Sequence, residues 1–178
     1  FAINMLIASK TEVTQKYKNR AIGYLISGLS DSDLSSSLLN FSERVKPLYR
    51  NLLINKIKEH DKNDVIILIV TASPNFAIDL CVSNLPVLVI GTVFNQVSGV
   101  YSGQIQGSNC YGQEKVSRIE SWATENNLIL DYIEAWSDDF SDYPMLKMAK
   151  ERYWIGDESL RDLVCEKDPS GCFLLSEN

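Results

Sequence analysis

Three short stretches of this sequence combine residue types that could handle a phosphate group. Asp138, Asp139 and Asp142 place three carboxylates in five residues, directly after the hydrophobic run that ends at Trp136. Carboxylates so crowded repel one another unless a cation neutralises them, and hard oxygen donors of this kind suit Mg2+. Aspartates also cap and turn loops, so a purely structural role is open to each of them. Lys115, in Gly112-Gln113-Glu114-Lys115-Val116, falls in the first turn of an expected helix, where a cation opposes the helix dipole. A nearby anion would compensate, and the alternative is a solvated surface lysine. Thr71 and Ser73, in Val70-Thr71-Ala72-Ser73-Pro74, close an apolar run and lead into another helix. A hydroxyl and free amides at that point can hold a phosphate oxygen, or simply cap the helix.

These stretches need elements to carry them. Asp64 to Val70 (DVIILIV) and Leu85 to Thr92 are apolar runs rich in β-branched residues, which suits strands buried on both faces of a parallel sheet. Leu130 to Trp136 and Arg152 to Ile155 are two further strand candidates. Helices are expected over Pro74 to Ser83, Glu114 to Asn126 and Pro144 to Lys150, and a hairpin over Val97 to Gly107 around Gly99 and Gly103. Upstream, Ile22, Leu25, Ile26 and Leu29, then Leu38, Leu39, Phe41 and Val45, recur at helical spacing. Gly28 suits the end of one helix, Ser30 to Asp33 supply N-cap chemistry for the next, and Pro47 marks a break before a helix from Leu48 to Glu59. Strands alternating with helices imply an α/β fold with a doubly wound, mostly parallel, Rossmann-like sheet, and the three stretches fall beyond the carboxyl ends of its strands.

Bulk properties narrow the partners. The chain has 178 residues, 45% of them hydrophobic, enough for a real core. A net charge of −6 with no basic tract argues against nucleic acid or an anionic membrane as a partner. No apolar run approaches the ~20 residues needed to span a bilayer. The start at Phe1 lacks the pattern of a signal peptide. Cys81, Cys110, Cys165 and Cys172 form no CxxC pair, so free thiols in a reducing, cytoplasmic setting are expected, although Cys165 and Cys172 flank a turn and could pair. His60, the single histidine, suits a solvated helix end; Trp122, Trp136 and Trp154 suit packing. Tyr17, Tyr24 and Tyr49 could line a pocket or pack helices.

The order VTASP, GQEKV, WSDDFSDYPML resembles motifs II, III and IV of the haloacid dehalogenase superfamily. More narrowly, it is similar to the phosphoserine-phosphatase-like branch (subfamily IB), which carries a helical cap after motif I. Gly103 to Val116 looks like the G-x-x-x-G-x-N-C-x-G-x-E-K-V stretch of its bacterial members. The resemblance covers Asp64 to Ile155, and the helical stretch before it matches the cap in position and texture. It implies a Mg2+-dependent phosphomonoester hydrolase. Thr71, with Ala72 and Ser73, would bind the phosphoryl group, and Lys115 would neutralise charge on nucleophile and phosphoryl oxygens. Asp138 would bind Mg2+, with help from Asp142, which would also orient the loop. Asp139 ranks third among the acids, because a small polar residue is usual there. Ser137 replaces the more usual glycine before the metal-binding aspartate.

Motif I is the large departure. The family's D-x-D-x-T nucleophile segment does not occur in these residues; Asp31-Ser32-Asp33 has the acid spacing but suits a helix start. The expectation is a cap over residues 1–59 and an α/β core over 60–178, whose first strand and nucleophile belong to a segment preceding Phe1. The chain alone would then be inactive. The alternative is a catalytic relic that keeps the fold to bind or scaffold. The substrate stays open between a small ester such as phosphoserine and a lipid phosphate such as phosphatidylglycerophosphate. Phe1, Met5, Leu6 and Ile7 could line an acyl chain or face the core.

Overall fold

The computed structural model describes residues 12–131 and 134–175, so Phe1, Met5, Leu6 and Ile7 lie outside the described residues. Two compact units result, Phe1–Cys110 and Tyr111–Asn178.

In the first unit, helices α1 (Glu12–Ile26) and α2 (Asp31–Val45) are separated by Gly28, whose φ of 81° is the left-handed turn that ends α1. Ser30 caps α2 through a capping box with Asp33. Pro47 falls in a single 3-10 turn, Lys46–Leu48, ahead of α3 (Asn51–Asp61). Strand β1 (Leu68–Pro74), helix α4 (Asn75–Cys81) and strand β2 (Leu88–Thr92) form a β-α-β unit with β1 and β2 parallel and Leu68 opposite Leu88. The apolar run thus enters the strand four residues later than its composition suggests, at Leu68. Hydrogen-bonded pairing with β2 begins there, and propensity carries no information about a partner. Residues Leu68 to Ser73 are half-buried, and among the described residues β1 pairs along one edge only.

Strands β3 (Phe94–Val97) and β4 (Val100–Ile105) make the expected hairpin, turning through Ser98 and Gly99 at φ 52° and 80°, as a primed turn requires. Helix α1 lies against β4 at backbone distance: a Cβ on Gly23 would stand 1.9 Å from the Gly103 carbonyl oxygen. The α1–α2 connection is stitched to the same strand, with Tyr101 N–H donating to the Leu29 carbonyl at 2.8 Å. Ile26, Phe94 and Tyr101 centre this unit's core, with Ile22, Leu34, Phe76 and Ile105 around them. Tyr49 donates to the Cys81 carbonyl, while Tyr17 and Tyr24 are exposed.

The second unit is a parallel sheet of β5 (Glu134–Ser137), β6 (Glu151–Gly156) and β7 (Cys172–Leu175), in that order. Helix α5 (Gln113–Glu125) precedes β5, the short α6 (Tyr143–Leu146) lies between β5 and β6, and α7 (Glu158–Lys167) between β6 and β7. Helix α7 and strand β7 extend the α/β alternation beyond the elements expected from the sequence; Asp157 caps α7 by accepting from Leu160 N–H at 3.1 Å. Leu146, Trp154, Leu160 and Val164 form the core. The architecture is α/β, mostly parallel and Rossmann-like. All four cysteines are free thiols. Among the described residues, no helix is long and apolar enough to cross a membrane.

Candidate active site

Lys115 lies on the buried stripe of α5 with Val116, Ile119 and Ala123, which excludes the solvated-lysine reading. The helix is entered through Gly112 at φ 57°, a left-handed conformation that favours glycine. Lys115 is 6% exposed, and its Nζ meets Asp142 Oδ1 at 2.6 Å; Asp142 is 8% exposed. Here is the anion that a lysine in a first helical turn calls for. The pair survives burial because each charge is the other's partner, since either alone would carry an unpaid desolvation penalty.

The loop after β5 separates the three aspartates. Asp142 closes a 3-10 turn (Phe140–Asp142), and its second carboxylate oxygen accepts from the Ser137 hydroxyl at 2.8 Å. Asp139 caps that turn, accepting from Ser141 N–H at 2.9 Å, while its own N–H donates to Ser137 Oγ at 3.1 Å. Asp138 stands exposed just past the strand end. Lys115, Ser137, Asp139 and Asp142 are thus joined in one network. Among the described residues, no group of three or more His, Cys, Asp or Glu side chains is arranged to hold a metal ion. Asp138 fits a hard cation as a single oxygen donor, and the shell would need ligands from elsewhere.

In the first unit, Thr71 lies within β1, and its hydroxyl oxygen accepts from Ser73 N–H at 3.1 Å, leaving the hydroxyl proton to be donated. The Ala72 carbonyl accepts from Lys18 Nζ at 3.0 Å and lies 3.2 Å from Thr92 Oγ1. Thr92, fully buried at the end of β2, also meets Asn109 Oδ1 at 2.7 Å and accepts from Cys110 N–H at 3.1 Å. This turn is therefore pinned from a helix and from a neighbouring strand. Lys18 and Thr92 escaped the sequence reading. A signal for Lys18 existed: Gln15, Lys18 and Asn19 share the helical face of Ile22 and Ile26, and each is 7% exposed.

A family model for haloacid dehalogenase-like hydrolases matches residues 6–147. The chain belongs to that family. Among curated proteins, a phosphoserine phosphatase of Mycobacterium tuberculosis is 33% identical over 79 residues, 44% of this chain and 26% of the relative. The chain thus spans about a quarter of the length of the curated relatives it matches. Among solved structures, a Bordetella pertussis protein of unknown function superposes with a TM-score of 0.75 at 16% identity, over 97% of this chain and 78% of the other. A phospho-aspartyl intermediate analogue of phosphoserine phosphatase superposes with a TM-score of 0.59 at 14% identity, over 98% of this chain and 76% of the other. At such identities these two likenesses show the haloacid dehalogenase fold.

Proposed function

We propose that the protein containing this chain is a Mg2+-dependent phosphomonoester hydrolase that works through an aspartyl-phosphate. The observation that carries this reading is the buried Lys115–Asp142 pair, which ties helix α5 to the loop after β5 in a haloacid dehalogenase-like hydrolase. A nucleophilic aspartate from a segment outside these 178 residues would attack phosphorus and expel the alcohol, and water would then cleave the acyl phosphate. A strand carrying it would find β1 with one edge unpaired among the described residues. Residues 1–59 would serve as the helical cap and 60–178 as the core.

Within this chain, Thr71 would donate its hydroxyl proton to a phosphoryl oxygen, beside the Ala72 and Ser73 amides. Lys115 would offset charge on the phosphoryl oxygens as the transition state forms. Asp142, both of whose oxygens are engaged, would hold Lys115 in place, and Asp139 would hold the turn. Asp138 would hold Mg2+, which when bound supplies positive charge for the transferring group. The Mycobacterium relative's name favours a small substrate such as phosphoserine; a lipid phosphate is the second candidate. The acidic chain and its free thiols suit a cytoplasmic enzyme that does not bind nucleic acid.

The test is phosphate release by the full-length protein from phosphoserine and p-nitrophenyl phosphate, with and without Mg2+. Turnover that needs Mg2+ and is lost in Asp138→Asn supports the reading. A folded full-length protein inert toward both esters supports the scaffold alternative instead.

A further inference from the structure

We propose that Ser137 is a positioning residue of the phosphoryl-transfer site, whose hydroxyl holds the Asp142 carboxylate in the orientation that meets Lys115. The inference rests on the phosphatase reading above.

The hydrogen-bond inventory assigns its work. A serine hydroxyl has one proton to give. The acceptors in reach of Ser137 Oγ are Asp142 Oδ2 at 2.8 Å and the Asp139 carbonyl at 3.3 Å. The proton goes to the carboxylate, because that contact is shorter and its acceptor is charged. A lone pair of the same oxygen receives Asp139 N–H at 3.1 Å. One hydroxyl thereby ties the end of β5 to the cap of the 3-10 turn and to the carboxylate that closes it.

The other oxygen of Asp142 lies 2.6 Å from Lys115 Nζ. An ammonium carries three N–H donors. A carboxylate has two oxygens, so Lys115 paired with Asp142 keeps at least one donor for a phosphoryl oxygen. Without the Ser137 hydroxyl, Asp142 Oδ2 would sit in a buried place with no donor. The carboxylate could then recover a hydrogen bond only by turning both oxygens on Lys115. The lysine would stay charged and folded in, but its donors would point at Asp142 rather than at substrate. The loss should therefore fall on the transition state, which draws on those donors most strongly.

The experiment is steady-state kinetics on the full-length enzyme at saturating Mg2+. Ser137→Ala should lower kcat on the order of tenfold, what one hydrogen bond to a charged group is worth, with little change in KM. Ser137→Thr should restore most of it. Added to Asp142→Asn, Ser137→Ala should have no further effect on kcat, because the two residues act as one unit. Ser137→Gly, which also lacks the hydroxyl, serves if the alanine variant does not fold. Normal kcat in a folded Ser137→Ala or Ser137→Gly, or additive losses in the double variant, each overturns the assignment while leaving the phosphatase reading intact. An inactive wild-type enzyme overturns that reading, and this inference with it.

Discussion

Lys115–Asp142 and Arg152–Asp168 are both ion pairs on a buried carboxylate within residues 111–178, yet they are built differently. Asp168 is 1% exposed, and the Arg152 guanidinium grips it as a fork, Nε to Oδ2 at 3.1 Å and Nη2 to Oδ1 at 2.9 Å. Trp154 Nε1 adds a third donor at 2.9 Å, and the backbone of the same aspartate accepts from Gly171 N–H at 2.8 Å, closing the turn between α7 and β7. A rigid planar cation, a carboxylate crowded with donors and a glycine turn make a joint. Lys115 is instead a compact charge whose Nζ meets Asp142 Oδ1 at 2.6 Å, and Asp142 belongs to the loop that carries the exposed Asp138. The difference teaches that burial of charge alone does not mark a functional site. What separates the two pairs is the geometry of the contact, a planar fork reinforced by a tryptophan donor against the close approach of a compact ammonium.

The largest expected effect tests the joint. Asp168→Ala should destabilise the protein by about 3–5 kcal/mol, the usual consequence of removing one partner from a buried pair, read by urea denaturation. It should leave KM and kcat of the folded full-length enzyme near normal. Lys115→Met should also destabilise the protein, because it leaves the Asp142 carboxylate buried without its cation, but it should in addition cost on the order of 10²–10³ in kcat. Equal destabilisation by the two variants, with kcat intact in Lys115→Met, would erase the distinction and assign both pairs to architecture.

A gentler probe is Arg152→Lys, which keeps the charge and loses the fork. It should cost about 1–2 kcal/mol in the same measurement, as one hydrogen bond to a charged group is lost. The smallest effect is in pH. Arg152, hydrogen-bonded to Asp168, holds that carboxyl below its usual range against the opposing effect of burial, with Trp154 assisting. A folded-state value below the unfolded one means that the contribution is fully present above about pH 4 and is lost as pH falls through the folded value. The gap in urea midpoint between wild type and Asp168→Ala should therefore narrow on going from pH 7 toward pH 2. A constant gap would show that Asp168 acts through packing alone.

The parts of this molecule that were legible in the sequence are those encoded by neighbours in the chain. Helix α5 runs over Gln113–Glu125 where Glu114 to Asn126 was expected, and the hairpin formed around Gly99. Ser30 caps α2 with its own near neighbours. The second half of the last β-α-β unit was not anticipated, because Glu158 to Leu175 carries no chemistry-bearing motif and its strand is only four residues long. Strand β1 was displaced, because where pairing starts depends on β2 and not on the run itself.

For the candidate site, the sequence by itself determined which residue types were available and in what order: a hydroxyl at Thr71, a cation at Lys115, and carboxylates at Asp138, Asp139 and Asp142. It ranked the aspartates only through resemblance, because side chains one to four residues apart in a loop can point anywhere. Tertiary structure decided their division of labour. Asp142 is turned to a lysine 27 positions away in the chain, Asp139 to a neighbouring amide, and Asp138 to the exterior. The same holds for the support of the Thr71 turn, where Lys18 reaches Ala72 across 54 residues and Thr92 across 20. Local pattern fixes dihedral preference within a few residues, whereas the burial that makes a charge seek one partner over another exists only once distant segments have packed.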